Sequence, residues 1–217
     1  MKSLALHITE KLVINKNTKI TYNYRPKTKK ELATIIDKLI KERGNDADLN
    51  DIDTSAITDM RLLFYESEFN GDISNWNVSN VEDMSSLFRD SAFNGDISKW
   101  DVSKVESMYA MFRGSVFTGY LNDWDVSKVD DMRYMFSNSE FNGDLSNWNM
   151  ENVEYTTSMF YHSHFTGENG DISKWKFKKL ISAYEMFDAD KLSENDGLLD
   201  KAIDAWNLPD EIIDAMY

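Results

Sequence analysis

The residues of this chain that could do chemistry are its histidines and its carboxylates. His162 and His164 lie two positions apart, so on a strand they would face one side and could bind a metal ion with a nearby carboxylate. The chain has three histidines and no cysteine, and its sequence contains no nucleophile elbow, phosphate-binding loop or zinc-protease motif. These observations favour a protein that is not an enzyme and uses no cofactor, with a metal-dependent hydrolase as a remote alternative.

Some of the carboxylates recur at a fixed spacing. Asp72, Asp96, Asp144 and Asp171 form a row that Tyr120 interrupts. Stacked carboxylates repel one another unless each accepts hydrogen bonds from backbone N–H groups, as in an Asx turn. A calcium ladder is the alternative, although the glycine-rich calcium repeat that would support it is missing. We expect turn capping, and metal binding by this row or by the two histidines stays open.

A repeat of 24 residues sets this spacing. Residues 69–88 read FNGDISNWNVSNVEDMSSLF, and residues 93–112 read FNGDISKWDVSKVESMYAMF. Tryptophans and phenylalanines keep the period until residues 168–170 lengthen one interval to 27, and a degenerate unit over 49–64 makes six units in all. The predicted core residues of the repeat are Ile52, Phe64, Trp76, Phe88, Trp100, Phe112, Trp124, Phe136, Trp148, Phe160, Trp175 and Phe187.

A period of 24 residues is typical of leucine-rich repeats. Ile73, Trp76 and Val78 predict a short parallel strand in each unit, and the apolar residues from Val81 to Phe88 predict a short helix or 3₁₀ turn. The predicted fold is an α/β solenoid, a right-handed leucine-rich-repeat-like stack of about six units with helical caps at both ends.

Two rows of small residues are expected to shape the turns of this stack. The glycines are expected to adopt positive φ, and the serine hydroxyls are expected to satisfy buried backbone groups. These rows are Gly71, Gly95, Gly119, Gly143 and Gly170, and Ser67, Ser91, Ser115, Ser139 and Ser163.

The N-terminal flank predicts a cap. Residues 28–44 read TKKELATIIDKLIKERG, an amphipathic helix with a capping box between Thr28 and Glu31 and with Gly44 at its end. Before it, Tyr22 and Tyr24 alternate with polar residues as in a strand, and residues 3–14 favour a helix over a strand only weakly.

The C-terminal flank predicts a second cap. The sequence favours a helix that starts at Ser193 or Asn195 and ends near Trp206, and Pro209 then opens a short last turn. The chain is thus divided into an N-terminal segment with a capping helix at 28–43, a six-unit solenoid and a C-terminal helical cap. The three parts span residues 1–47, 48–188 and 189–217.

The charge of the chain is uneven. Net charge is −14, yet residues 1–44 carry 11 Lys and Arg against 4 Asp and Glu. The acidic remainder argues against nucleic acid as a ligand, because phosphate neutralisation needs a basic surface. The basic N-terminal segment suits an acidic partner or the acidic body of the chain itself.

The repeat unit F-N-G-D-I-S-x-W-[DN]-V-S-x-V-x-x-M-x-x-[ML]-F resembles BspA-type leucine-rich repeats over about residues 49–187. It is most similar to the subgroup of unknown function first noted in mycoplasma surface lipoproteins, which also occurs in gut bacteria and their phages. The resemblance implies adhesion or protein binding rather than catalysis. Unlike the secreted members, the sequence shows no signal peptide, lipobox or transmembrane segment, so we expect a cytoplasmic or phage-associated protein.

The positions that vary between units are the candidates for binding, because the invariant positions are expected to form the core. Tyr and Arg, which are enriched at binding hot spots, occur just after the recurring methionine and phenylalanine of the units. The candidate partner-binding residues are Tyr65, Arg89, Tyr109, Arg113, Arg133, Tyr134, Tyr161 and Tyr184.

These residues predict a non-enzymatic protein–protein interaction module, although ordinary surface filling explains them equally well. The alternative is a structural or accessory component of a larger assembly, such as a phage virion or a host-interaction factor. A second row is charged, with few aromatic anchors: Asn75, Lys99, Asp123, Asn147 and Lys174. The tryptophans are expected in the core and not on a sugar-stacking surface.

Overall fold

The computed structural model describes residues 21–187 and 197–216. Its helices are α1 (Lys29–Arg43), a 3₁₀ helix (Ile172–Lys174), α2 (Leu198–Trp206) and α3 (Asp210–Asp214). The β-structure of these residues consists of isolated parallel bridges. Among them, no helix combines the length and the apolar character that crossing a membrane requires. The expectations for residues 3–14, Ser193 and Asn195 fall outside the described residues.

Helix α1 forms over the residues predicted to be helical. The Thr28 hydroxyl accepts the Glu31 N–H at 3.2 Å, while the Glu31 carboxylate accepts the Lys27 N–H at 2.7 Å. The first bond satisfies a donor that the first turn of the helix leaves free, and the second ties the residue before the cap to that turn. Gly44, at a φ of 92°, ends the helix. The apolar stripe packs into the core of the first unit through Leu32, Ile36 and Leu39, which are buried.

A ladder of backbone hydrogen bonds joins the units, and alternate N–H groups in it point to the next unit. Ser86 N–H donates to Tyr109 O at 2.7 Å, and Phe88 N–H donates to Met111 O at 2.9 Å. The N–H groups between them donate within their own unit, as Leu87 N–H does to Met84 O. Parallel bridges join equivalent positions along the whole stack. We call these runs the ladder segments: 59–66, 83–90, 107–114, 131–138, 155–162 and 182–187.

The ladder segments correct the predicted structure of a unit. Between Val81 and Phe88 the chain forms a bridge followed by turns, instead of the expected short helix or 3₁₀ turn. Ser86 and Asp90 have φ of 55° and 53°, values that a right-handed helix excludes. A helix would also use every N–H inside its own unit and leave none for its neighbour. The parallel pairing therefore lies in the ladder segments, and not around Trp76, whose N–H closes a turn on Ile73 O.

Columns of aromatic rings fill the core along the stack. The rings of Phe64, Phe88, Phe112, Phe136, Phe160 and Phe187 follow one another at centroid distances of 5.5–5.7 Å. Each recurring tryptophan donates its indole N–H to a carbonyl of the preceding unit, as Trp100 does to Ile73 O at 3.2 Å. All twelve predicted core residues are at most 4% exposed, so the tryptophans are unavailable for sugar stacking.

Short polar side chains close up to four turns in a unit by accepting a backbone N–H from two residues further on. In the second unit, Ser91 caps Phe93, Asp72 caps Ser74, Asn77 caps Ser79 and Asp83 caps Ser85. The aspartate row expected to form Asx turns does so at Asp72, Asp96, Asp144 and Asp171. The serine row is buried at Ser91, Ser115, Ser139 and Ser163. These caps satisfy N–H groups that neither a helix nor a strand would satisfy.

The recurring glycines serve a different purpose from the one predicted. The residues Gly71, Gly95, Gly119, Gly143 and Gly170 all lack the positive φ that was expected of them. At Gly71, Gly95, Gly119 and Gly143 the ring of the phenylalanine two positions earlier leaves no room for a Cβ, whereas at Gly170 the Asp144 carboxylate occupies that space. A Cβ on Gly143 would lie 2.7 Å from Cζ of Phe141, closer than packed carbon atoms approach.

The three extra residues of the fifth unit form a loop that leaves the stack intact. The bridge from Tyr155 to Ser182 spans 27 residues, yet the rings of Phe160 and Phe187 remain 5.5 Å apart. Asn169 Nδ2 donates to Asn142 O at 2.5 Å and fixes the loop on the preceding unit.

The C-terminal helices close the far end of the stack. Trp206 of α2 stacks on Trp175 at 5.7 Å and donates its indole N–H to Ile172 O at 2.8 Å, so it continues the tryptophan column. After α3, Ala215 O accepts the N–H of Glu185, which belongs to the last ladder segment. Helix α2 begins at Leu198, after Gly197.

We predict that Asp101→Ala lowers the free energy of unfolding by about 0.5–1.5 kcal/mol, because the Ser103 N–H and hydroxyl lose their acceptor. Asp101→Asn is the matched control, since Asn77 caps the same turn one unit earlier. Urea denaturation at pH 7 measures both. Equal losses in the two variants would show that charge matters more than capping.

The ionised form of Asp101 accepts the hydroxyl and N–H of Ser103, which lowers its pKa below the ordinary value. A lowered native pKa means that this contribution is complete at neutral pH and is lost as pH falls through the native pKa. The stability difference between Asp101→Asn and the wild type should therefore shift in favour of the asparagine variant below about pH 4.

We predict that Trp206→Ala costs about 3–5 kcal/mol of stability, because it removes the last ring of the column and opens a cavity against Trp175. Leu198→Ala on the same helix is the control, since Leu198 is 41% exposed and its loss should cost less than about 0.5 kcal/mol. Thermal melting of both variants measures the difference, and similar losses would show that α2 does not cap the core.

Candidate functional site

All eight residues predicted to bind a partner lie in the ladder segments. We call this surface the tyrosine–arginine face, composed of Tyr65, Arg89, Tyr109, Arg113, Arg133, Tyr134, Tyr161 and Tyr184. The four inner ladder segments are hydrogen-bonded to a neighbouring unit on both sides and the first segment on one side, so their outward side chains are held at the spacing of the units. Ladder bonds from Ala110 to Arg133 and from Tyr134 to Thr157, 2.8 Å and 3.0 Å long, fix the centre of the face.

Four of the eight residues form one contact network in the third and fourth units. The rings of Tyr109 and Tyr134 meet edge to face, with centroids 5.8 Å apart. The guanidinium of Arg113 lies over the Tyr134 ring at 5.6 Å, and that of Arg133 lies over the Tyr109 ring at 5.4 Å. All four side chains are half-buried. Such contacts between cations and aromatic faces hold the side chains in one arrangement.

Arg133 is the most constrained member of this network. Its guanidinium also lies over the Tyr155 ring at 5.2 Å, so two aromatic rings contact it. Asp131 accepts bonds from Nε at 2.9 Å and from an Nη at 2.7 Å. These hydrogen bonds to the carboxylate raise the pKa of Arg133 above its ordinary value. A residue held in this way loses little conformational entropy when a partner binds it.

The remaining four residues lie towards the ends of the face. Arg89 lies over the Tyr65 ring at 5.3 Å and contacts Asp90 at 3.1 Å. The Tyr65 hydroxyl donates to Glu66 at 2.5 Å, and this bond raises the pKa of Tyr65. Tyr161 packs beside His162, with ring centroids 4.0 Å apart. Tyr184 is 55% exposed, and a hydrogen bond to Glu185 raises its pKa.

Two residues of the central network were missed by sequence reasoning, namely Asp131 and Tyr155. Both occupy the position before that of the recurring methionine, which is replaced by Thr156 in the fifth unit. The other units have Asp59, Asp83, Ser107 and Ser182 at this position. The signal was the change to tyrosine at 155 within that row. The rows that follow the methionine and the phenylalanine do not contain this change.

An acidic row runs beside this network. Glu106, Asp130 and Glu154 follow one another along the stack, and the N–H of Glu154 donates to Asp130 O at 2.9 Å. Burial raises the pKa of Asp130, and the nearby carboxylates of Asp131, Glu154 and Glu106 raise it further. The central cations therefore lie next to a negative flank, so the face presents both signs of charge.

The other surface row differs from this face in composition. Asn75, Lys99, Asp123, Asn147 and Lys174 are all exposed. Among residues 21–187 and 197–216, neither lysine lies over an aromatic ring, and Asp123 accepts the Tyr120 hydroxyl at 3.1 Å. His162 and His164 are also exposed and do not lie on a strand. Among the described residues, no group of three His, Cys, Asp or Glu side chains is arranged to hold a metal ion.

Comparison with known families places the chain in one of them. The model of the family described as "Mycoplasma protein of unknown function, DUF285" matches residues 34–139 and, in a second overlapping match, 113–201. The chain belongs to this family. The two matches reach from within α1, through the whole repeat region, into α2. Searches of curated proteins and of solved structures give no match.

We predict that Asp130→Asn stabilises the protein at pH 7 by a few tenths of a kcal/mol, up to about 1 kcal/mol, because it removes repulsion within the acidic row. The raised native pKa means that the charged carboxylate destabilises the fold at neutral pH and that this penalty disappears as pH falls through the native pKa. The gain should therefore shrink as pH is lowered towards about 3.

Chemical denaturation across this pH range measures the gain. Asp37→Asn is the control, because Asp37 is an exposed carboxylate of α1 outside the row. A loss of stability in Asp130→Asn at pH 7 would contradict the electrostatic account.

Proposed function

We propose that this chain is a non-enzymatic protein-binding module and that the tyrosine–arginine face is its binding surface. The observation that carries the proposal is the central network, in which two tyrosines and two arginines contact one another across adjacent units. Tyrosine and arginine dominate binding hot spots because they combine a large contact area with directed polar groups. Their pre-ordering lowers the entropy lost on binding.

The scaffold in this proposal is a leucine-rich-repeat-like solenoid of the BspA type, with about six units and a helical cap at each end. Its support is the 24-residue register of the parallel bridges, the continuous aromatic columns and the packing of α1 and α2 at the two ends. The domain limits proposed from the sequence, 1–47, 48–188 and 189–217, suit this arrangement. A stacked scaffold suits protein binding because it presents side chains from several units on one extended surface.

The partner in this proposal is another protein. A net charge of −14 disfavours nucleic acid, since the body of the chain would repel phosphate. The negative flank at Glu106, Asp130 and Glu154 favours a partner surface that carries basic groups beside its contact with the rings. We further propose a cytoplasmic or phage-associated location.

A second function is favoured by the uneven charge of the chain. Residues 1–44 are basic while the rest is acidic, so the chain also suits a structural or accessory role in a larger assembly, such as a phage virion or a host-interaction factor. Size-exclusion chromatography with mass determination separates the two functions in part. A stable monomer is expected of a binding module, and an obligate oligomer is expected of an assembly component.

We predict that alanine at Tyr109, Arg133 and Tyr134 together weakens partner binding at least tenfold, about 1.4 kcal/mol, because the central network is lost. The partner is first recovered from a lysate of the source cells with the wild-type chain and identified by mass spectrometry. Its affinity is then measured with purified components by calorimetry.

The matched control replaces Asn75, Lys99 and Asn147 by alanine, which removes three exposed side chains from the other row. It should bind as the wild type does. If the Tyr109, Arg133 and Tyr134 variant keeps both its affinity and its circular dichroism spectrum, the face is not the binding surface.

A further inference from the structure

The first ladder segment has an uncovered edge. In every later segment the alternate carbonyls accept N–H groups from the preceding unit, as Asp83 O accepts from Met60 and Leu87 O accepts from Phe64. In the first segment the equivalent carbonyls receive no hydrogen bond from residues 21–187 or 197–216. We call this row the acceptor edge; it consists of the carbonyls of Asp59, Arg61, Leu63 and Tyr65.

Side chains at the same edge are exposed where their equivalents are buried. Leu62 is 52% exposed, whereas Ser86 and Ala110 at its position in the next two units are 5% and 0% exposed. Leu63 is only partly buried, whereas Leu87 is fully buried at the same position. A preceding unit covers these positions elsewhere in the stack. The first unit therefore presents both unpaired acceptors and uncovered leucines.

Helix α1 does not supply the missing cover. Its apolar stripe packs on the core, and its backbone N–H groups are used inside the helix, apart from those of the first turn. Its contact with this edge is the ion pair of Lys29 with Asp59, at 3.6 Å. A segment that pairs with this edge therefore has to bring free N–H groups.

The acceptor edge of a second copy of the chain cannot pair with this edge. Two acceptor edges would bring carbonyls against carbonyls, with no donor between them. At the opposite end of the stack, the Glu185 N–H that would match the edge already donates to Ala215 O. The polarity of the ladder thus excludes symmetric pairing of two first units.

The surroundings of the edge define the charge of its occupant. Carboxylates of Asp59, Glu66, Glu68 and Asp83 lie on or beside the first segment, and Arg61 is engaged by Asp59 at 2.7 Å and by Asp83 at 3.5 Å. An acidic surplus remains around two uncovered leucines. An occupant with basic and apolar side chains is complementary to it.

We propose that the acceptor edge is the docking site of residues 1–20 of this same chain. These residues lie outside the described part of the structure. They carry four lysines against one glutamate, with apolar side chains at Leu4, Leu6 and Ile8. Thr21 follows them directly, and Tyr24 pairs in parallel with Ile52 of the first unit. The segment is thus tethered at the end of the stack where the edge lies.

The tether lowers the entropy that the segment loses on docking. Twenty residues reach up to about 66 Å when extended, far more than the length of one ladder segment. A tethered segment also binds at a high effective concentration, so a few hydrogen bonds and apolar contacts suffice to hold it.

Hydrogen–deuterium exchange on the full-length chain tests the proposal. Amides within residues 1–20 should exchange at least about tenfold more slowly than in a synthetic peptide of the same residues. Leu62→Lys should return them to the rate of the peptide, because it replaces an exposed apolar contact by a repelling charge. Ile181→Lys, at a residue of the last unit that is 57% exposed, is the control and should leave the protection unchanged.

A second variant reverses charge within the segment itself. Lys11→Glu with Lys16→Glu should lower the protection without touching the described fold. Exchange of the wild-type segment at the peptide rate would overturn the proposal, as would protection that Leu62→Lys leaves intact. Protection that rises over a tenfold increase in protein concentration would place the segment on another copy, and this would also overturn it.

Discussion

The constraint on which the rest of the structure depends is that each unit must donate half of the N–H groups of its ladder segment to the next unit. This requirement rules out a helix, which would keep those groups for itself. It also rules out an ordinary strand with both edges paired over its full length, because the other N–H groups turn back within the unit. The chain meets both demands with a run of turns in which two residues of each of the first five segments, and Glu185 of the last, adopt positive φ.

This backbone needs side chains that support it elsewhere in the unit. The phenylalanine columns hold successive units in register, since each ring stacks on those before and after it. The Asx and serine caps satisfy the N–H groups at the corners, where neither ladder nor helix is present. Four of the recurring glycines, Gly71, Gly95, Gly119 and Gly143, leave room for the rings. Few positions of the repeat can therefore vary without loss of the fold, and those of the variable tyrosines and arginines are among them.

Much of this was accessible from the sequence, and the reasons differ from feature to feature. The period followed from the tryptophan spacing, and α1 followed from its apolar stripe and from Thr28, because both signals are local. The capping role of Asp72 also followed, since aspartate caps turns wherever a free N–H lies two residues further on. The twelve aromatic and aliphatic positions assigned to the core are buried for the reason that placed them there, their repetition.

The turns of the ladder segments could not be predicted from the sequence. Leucine, serine, alanine, tyrosine and glutamate occupy the first left-handed position of the six segments, and none of these types favours positive φ. The conformation there is imposed by hydrogen bonds to the neighbouring unit, which lies 24 residues away. The same cause hid Tyr155, one of the partners of Arg133. Asp131 is two residues from it and was overlooked in a row comparison, while Tyr155 reaches it only through stacking.

The loop at 168–170 separates two properties that the other units keep together, the length of a unit and its rise along the stack. The fifth unit is longer than its neighbours, but its contribution to the ring column is the same. A corner of this kind can change in length by small steps during evolution without passing through an unfolded intermediate sequence. It also offers protein engineers a point at which a foreign peptide can be displayed, because added residues there leave the ladder hydrogen bonds on either side in place.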